Sequence, residues 1–251
     1  MIIKKLLGIF KFFRSDLASL TIVGVGPGDP SLLTIAAVDA IKKANVIVFP
    51  VSDDHKKSFA AEIVKKHTKF KKNIPIIFPM ARNDIYPDEI WSIAVAKIVK
   101  FIKNGESVVL LCLGDTSLFA SSSNILRLIK NNHPEIITNT IPGISSLSAA
   151  AALNDFDLVK KGETLLIKEC PSSNSELKSL IRESRSNKTV LAIMKVGKRW
   201  NLVRETLEKE NIIHKSLIAL SVGMPDQIIK YASQYKKDIM PYFSLILIRF
   251  D

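Results

Sequence analysis

The segment Leu20-Thr21-Ile22-Val23-Gly24-Val25-Gly26-Pro27-Gly28-Asp29-Pro30-Ser31-Leu32-Leu33-Thr34 decides the class of fold. Residues 20–25 form a short apolar, β-branched run closed by glycines, which reads as a strand. Over 31–43 the apolar residues return at helical spacing (Leu32, Leu33, Ala36, Ala37, Ala40, Ile41). That run ends in Lys42-Lys43, which suits a helix C-terminus. The pattern then recurs. Strands are expected over 46–49, 74–78, 107–113 and 136–141, and helices over 58–67, 88–103 and 121–131.

Strands alternating with helices imply a mainly parallel sheet covered on both faces. Pro142-Gly143 reads as the exit from this first α/β layer, and an alanine-rich helix is expected over 145–153. The second half is spaced differently, with strands expected over 164–168, 189–194, 216–221 and 243–249 and helices over 175–185 and 199–210. The organisation expected is an extension over 1–19, an α/β domain over 20–142 and a second α/β domain over 143–251. Two such domains would leave a cleft between them, a common place for ligands.

The chain has 251 residues, 47% of them hydrophobic, with 36 basic against 24 acidic side chains and a formal net charge of +12. That composition excludes disordered, collagen-like and disulfide-stapled classes. Cys112 and Cys170 are too far apart for a metal-binding pair, and reduced thiols in a cytoplasmic protein are expected. The basic excess favours anionic partners, although lysine pairs such as Lys65-Lys66 and Lys71-Lys72 also suit a plainly solvated surface. No run approaches the ~18 apolar residues of a membrane span. Near the start, Ile2, Ile3, Leu6, Leu7, Ile9, Phe10 and Phe13 would share one face of a helix among Lys4, Lys5, Lys11 and Arg14. Such a face would touch a membrane surface or a partner, but a frayed extension or a helix packed on the body of the protein is the preferred expectation.

Chemistry is expected where strands end. The Gly24–Asp29 turn falls short of a dinucleotide fingerprint, because its third glycine comes one residue early and Pro30 removes an amide at the helix entry. Asp53 stands roughly where a ribose-binding acid would. A purely structural tight turn is the alternative. Asp115, in Leu113-Gly114-Asp115-Thr116-Ser117-Leu118-Phe119, would accept hydrogen bonds from a ligand or cap the next helix. Ser145 and Ser146 would hold a ligand or cap a helix in the same way. Cys112 closes a buried strand and reads as an inert thiol. The four histidines show no metal-ligand spacing, and neither a phosphate-loop nor a G-x-S-x-G signature occurs. The residues by themselves therefore point to a small-molecule enzyme or binding protein.

The motifs, taken in order, resemble those of the tetrapyrrole (corrin/porphyrin) methyltransferases. They are the G-x-G-P-G-D-P loop at Gly24 to Pro30, Gly114-Asp115, Pro142-Gly143-Ile144-Ser145-Ser146, Met194-Lys195-Val196-Gly197 and Gly223-Met224. The likeness runs from about Leu20 to Asp251. It is strongest to the branch that methylates C-20 of precorrin-2 or of cobalt-factor II. The resemblance implies the tetrapyrrole methylase fold, S-adenosyl-L-methionine as methyl donor, a homodimer and a cytoplasmic step in cobalamin synthesis. It implies that Pro27, Leu113, Gly114, Asp115, Leu118, Ser145, Ser146, Met194 and Gly223 contact the donor, with no metal and no assigned base. Thr116 and Phe119 stand where family members usually carry Pro and Tyr. Two other readings keep the fold: an RNA or protein acceptor, and a non-catalytic tetrapyrrole or cofactor binder.

Overall fold

The computed structural model describes residues 18–52, 57–78 and 88–250. The amphipathic N-terminal pattern and Asp53 lie outside the described residues. The chain divides into two compact units, Met1–Ile144 and Ser145–Asp251.

In the first unit, β1 (Ser19–Gly24), β2 (Val46–Val51), β3 (Lys72–Ile77), β4 (Val108–Cys112) and β5 (Ile137–Ile141) form one sheet in the order β3-β2-β4-β1-β5. Every pairing in it is parallel. Its centre is apolar on both faces, as a doubly covered sheet requires: all five residues of β4 are buried. Alternation along each strand divides the core in two. Leu20, Ile22, Val46 and Val48 pack with helices α3 (Asp88–Lys103) and α4 (Ser122–Asn132). Val23, Ile47, Val109 and Leu111 pack on the opposite face with α1 (Ile35–Lys43) and α2 (Phe59–Thr68). Each such Ile or Leu is worth about 1.5–3 kcal/mol on full burial.

This division creates the feature that positions a site. β1 and β4 are neighbours, yet β1 leads to α1 on one face and β4 leads to α4 on the other. The chain therefore splays apart beyond their carboxyl ends, at the switch point where open α/β sheets bind ligands.

The second unit opens with α5 (Ser146–Ala152). Its sheet comprises β6 (Thr164–Glu169), β7 (Thr189–Met194), β8 (Ser216–Leu220), β9 (Ile228–Tyr231) and β10 (Ser244–Ile248), in the order β6-β7-β10-β8-β9. β6 and β7 are parallel, whereas β10 runs antiparallel between β7 and β8, and β9 is antiparallel to β8. Helices α6 (Asn174–Ser186) and α7 (Trp200–Lys209) supply Leu177, Ile181, Trp200 and Val203 to its core.

Three elements depart from expectation. The helix expected over 31–43 is two elements. Asp29 caps a short 3-10 turn, Pro30–Leu32, by accepting from the Ser31 amide at 2.8 Å, and Thr34 separately caps α1 by accepting from the Ala37 amide at 3.1 Å. β3 begins two residues earlier than the expected 74 and carries Pro75, which an edge strand tolerates. β9 was not expected at all.

Candidate active site

The loops that follow β1 and β4 are paired backbone to backbone. The Gly114 amide donates to the Gly26 carbonyl at 2.8 Å, and the Gly26 amide to the Gly114 carbonyl at 3.2 Å. Both glycines have positive φ, 77° and 74°, so side chains at these positions would be strained. The loop after β5 joins them closely. A Cβ on Gly24 would lie 2.4 Å from the Gly143 nitrogen, and one on Gly143 would lie 2.3 Å from the Gly114 oxygen. Three main chains thus touch where only hydrogen fits between them. On Gly114, by contrast, a Cβ would meet nothing within 4 Å, so bare backbone faces open space there.

Asp115 fastens this junction. Its carboxylate accepts from the Ser117 amide at 2.8 Å, from the Ser117 hydroxyl in a short bond, and from the Gly143 amide at 3.1 Å. The Thr116 amide also bears on it. Burial pushes the carboxyl up, but these donors outweigh burial and hold it below the ordinary carboxylate range, so Asp115 is anionic at neutral pH. A carboxylate offers about four acceptor positions, and protein donors engage most of them here. Asp115 does not cap α4: Ser121 holds that position, without a side-chain cap bond. The structure therefore gives Asp115 a supporting role that the sequence did not disclose, tying the loops after β4 and β5 together.

Around the junction, Pro27 is buried, and Leu113, Gly114, Asp115 and Leu118 are half-buried. Phe119 is 45% exposed in a left-handed conformation, φ 52°. Cys112 is a free thiol, pushed up chiefly by burial; Cys170 is pushed up to about 11, chiefly by burial. Neither is poised as a nucleophile. Among the described residues, no group of three or more His, Cys, Asp or Glu side chains could hold a metal ion.

In the second unit, Met194 is the last residue of β7 and Gly223 lies beyond the carboxyl end of β8, strands separated by β10. The start of β10 holds both loops. The Val196 amide donates to the Ser244 carbonyl at 3.3 Å, and the Ser221 amide to the Phe243 carbonyl at 2.8 Å. The Ser244 hydroxyl accepts from the Gly197 amide at 2.8 Å and donates to the Pro241 carbonyl at 2.8 Å. Lys195 and Ser221, neither of them glycine, have φ of 56° and 48°. Such conformations cost about 1–3 kcal/mol each and recur at functional sites. Lys195 is held by Glu169 at 2.6 Å, and the Gly223 amide by the Gln227 side chain at 2.7 Å. Ser145 serves as the N-cap of α5, accepting from the Ser148 amide at 3.1 Å, and Ser146 is the first residue of that helix.

The structure thus brings Leu113, Gly114 and Asp115 together with the Gly26–Pro27 turn in the first unit. It hangs the Met194 and Gly223 loops on one strand in the second. Sequence reasoning missed Gly24, Gly143 and Ser244 as supports. The glycine-rich turn and the Pro142-Gly143 pair were the signals for the two glycines, and the Tyr242-Phe243-Ser244 start of the last strand was the signal for Ser244.

A family model described as Tetrapyrrole (Corrin/Porphyrin) Methylases matches residues 19–234. The chain belongs to this family. Among relatives of this tetrapyrrole methylase is the probable cobalt-precorrin-2 C(20)-methyltransferase of Methanocaldococcus jannaschii. It is 37% identical over 145 residues, a match that spans 58% of this chain and 61% of that protein. The cobalt-precorrin-2 C(20)-methyltransferase of Salmonella typhimurium is 24% identical over 229 residues, covering 90% of this chain and 94% of that one. Among solved structures, the methyltransferase CobJ superposes with a TM-score of 0.66 at 20% identity, covering 92% of this chain and 94% of that one. That last likeness establishes the shared fold.

Proposed function

We propose that this tetrapyrrole methylase transfers a methyl group from S-adenosyl-L-methionine to C-20 of a precorrin-2-type tetrapyrrole, metal-free or cobalt-bearing, in cobalamin synthesis. The observation that carries this reading is the likeness, along 90% of the chain, to a relative named for methylation at C-20.

The residues present fit such a donor. At the end of β4, Gly114 offers bare backbone beside open space, Leu113 and Leu118 offer apolar surface, and Asp115 supplies a fixed negative charge. That set suits a ligand carrying a cationic centre, a polar amino-acid end and a ribose. Pro27 and the serines at the start of α5 belong to the same proposed set, and Met194 and Gly223 are the second unit's part of it.

Bound there, the donor supplies a methyl group already activated on sulfonium. The protein's own task is then positioning. The Gly24–Gly114–Gly143 contact fixes the main chain of three loops, and Asp115 locks Ser117 and Gly143 against it. Holding two reactants in line lowers a barrier without a nucleophile or metal, and half-buried apolar walls keep water away. Part of the +12 charge faces the acidic tetrapyrrole in this reading, and the working form is a homodimer, which sedimentation equilibrium checks.

The test is calorimetric titration with S-adenosyl-L-methionine, followed by anaerobic transfer of labelled methyl to precorrin-2 and to its cobalt-bearing counterpart. Donor binding with label in one acceptor supports the reading. Donor binding with label in neither, and label instead in RNA or protein, overturns the acceptor while leaving the donor site.

A further inference from the structure

Basic side chains gather at the end of the first unit opposite the switch point, where its parallel strands begin. Helices α1, α2 and α3 all finish there, each with lysines in its last turn, Lys42, Lys66 and Lys103 among them. The turns are knitted into one surface. The Lys71 ammonium donates to the Lys42 and Ala44 carbonyls at 2.7 and 2.6 Å, closing α1 against the start of β3. Asn45 and Ser107 bond reciprocally, their amides donating at 2.9 Å to the Ser107 carbonyl and at 2.8 Å to the Asn45 side chain. Glu106, in the turn before β4, is matched to Lys72 at 2.8 Å, and Glu135, in the turn between α4 and β5 at the same end, lies 3.6 Å from His133.

Cations at helix C-termini complement the helix dipole, so the lysines alone are ordinary. Phe70 is not. It stands between Lys69 and Lys71 in the turn before β3 and is 94% exposed, with the Lys69 ammonium 5.5 Å from its ring centroid. A large aromatic projected from a basic surface has no role in the core or in helix capping.

We propose that this end of the first unit docks on an anionic lipid surface, with Phe70 entering the headgroup layer and the surrounding lysines against lipid phosphates. Aromatic rings seat at that depth, and lysine stems lie along the apolar boundary while their ammonium groups stay in water. Three features favour a lipid surface over nucleic acid. The turns carry lysine point charges and no arginine forks. One exposed aromatic serves a headgroup layer but gives no run of stacking platforms. The chain preceding residue 18 joins at this same end, because Ser19 opens β1 as Lys72 opens the parallel β3. Its sequence mixes Ile2, Ile3, Leu6 and Leu7 with Lys4 and Lys5.

The experiment is flotation of the full chain with vesicles of phosphatidylcholine, alone or with phosphatidylglycerol, across a salt series. Binding that requires phosphatidylglycerol and weakens with salt is expected. At on the order of fivefold in affinity per lysine, the double variant K66E/K69E loses at least ~25-fold. Phe70→Trp, which leaves every charge in place, gives emission that shifts to shorter wavelength when phosphatidylglycerol vesicles are added. None of these exposed residues belongs to the proposed donor site, so donor binding stays at the wild-type value, and a cooperative thermal transition shows that each variant is folded. Equal binding to phosphatidylcholine alone overturns the proposal. So does binding undiminished in K66E/K69E, which assigns any attachment to residues 1–17 alone. Retention by RNA with no vesicle binding overturns it as well.

Discussion

Replacing Gly143 by alanine adds one methyl group where the structure has no room for it. The new Cβ would sit 2.3 Å from the Gly114 oxygen, 2.7 Å from the Gly24 carbonyl carbon and 2.9 Å from the Gly24 Cα. All three are backbone atoms, so no side chain can rotate away, and Gly24 ends a strand paired on both sides. Overpacking of this kind costs about 1–3 kcal/mol, occasionally more. The displaced loop also strains the Gly143 amide bond to the Asp115 carboxylate, and a hydrogen bond to a charged group is worth about 1.5–3 kcal/mol. Together these come to roughly 2.5–6 kcal/mol, against a typical total stability of about 5–15 kcal/mol. Urea unfolding followed by circular dichroism reads the loss as a lowered midpoint at constant slope. Donor titration reads the second consequence, a weakened site. Gly114→Ala is the contrasting variant. Its Cβ meets nothing within 4 Å, so its cost is the φ of 74° alone, about 1–2 kcal/mol. If Gly143→Ala unfolds within 1 kcal/mol of wild type, by the order-of-magnitude costs above, and binds donor equally well, the account of the three-loop junction is wrong.

The other predictions follow from the same supports. Asp115→Asn keeps the shape but removes the charge that Ser117 and Gly143 bind, and is expected to cost about 1.5–3 kcal/mol. Because the carboxyl is held below its ordinary range, its contribution is complete above the unfolded value of about 3.9 and is lost as pH falls toward the lower folded value. The wild-type minus variant difference in unfolding free energy should therefore shrink on acidification; a difference that grows would contradict the assignment. Ser244→Ala leaves the Gly197 amide without its acceptor, at a cost of about 1–3 kcal/mol. It should also weaken donor binding through the Met194 and Gly223 loops, while a donor affinity equal to wild type would separate those loops from the site. Both cysteines should resist a thiol reagent near neutral pH until the protein is unfolded, since burial raises each thiol; rapid native-state reaction would place one of them at an accessible surface.

Much of the first unit was legible because its central strands are so uniformly apolar. Val108-Val109-Leu110-Leu111-Cys112 has no face that tolerates water, so a buried parallel strand follows from composition alone. Local capping was harder, because Asp29 and Thr34 are both good N-caps five residues apart, and the apolar spacing behind them reads as one continuous helix. β9 escaped because Ile228–Tyr231 is four residues long, half-buried and at a sheet edge, with neither alternation nor a continuous buried run. The antiparallel insertion of β10 between β7 and β8 was not legible either: it joins the chain's last strand to strands far earlier, and strand order of that kind leaves no local trace. The candidate site was legible as motifs but not as mechanics. Gly114 and Asp115 stood out, yet that Gly24, Gly114 and Gly143 touch, and that Asp115 binds the Gly143 amide, depends on three strands meeting in space.

The most direct test of the central claim locates the transferred carbon. The full chain is incubated without oxygen with methyl-13C-labelled S-adenosyl-L-methionine and precorrin-2 or its cobalt-bearing counterpart, and the product is read by carbon NMR. A single enriched methyl attached at C-20 of one acceptor is the result the account predicts. Label at another ring position, or no tetrapyrrole labelled at all by a protein that binds the donor, would contradict it.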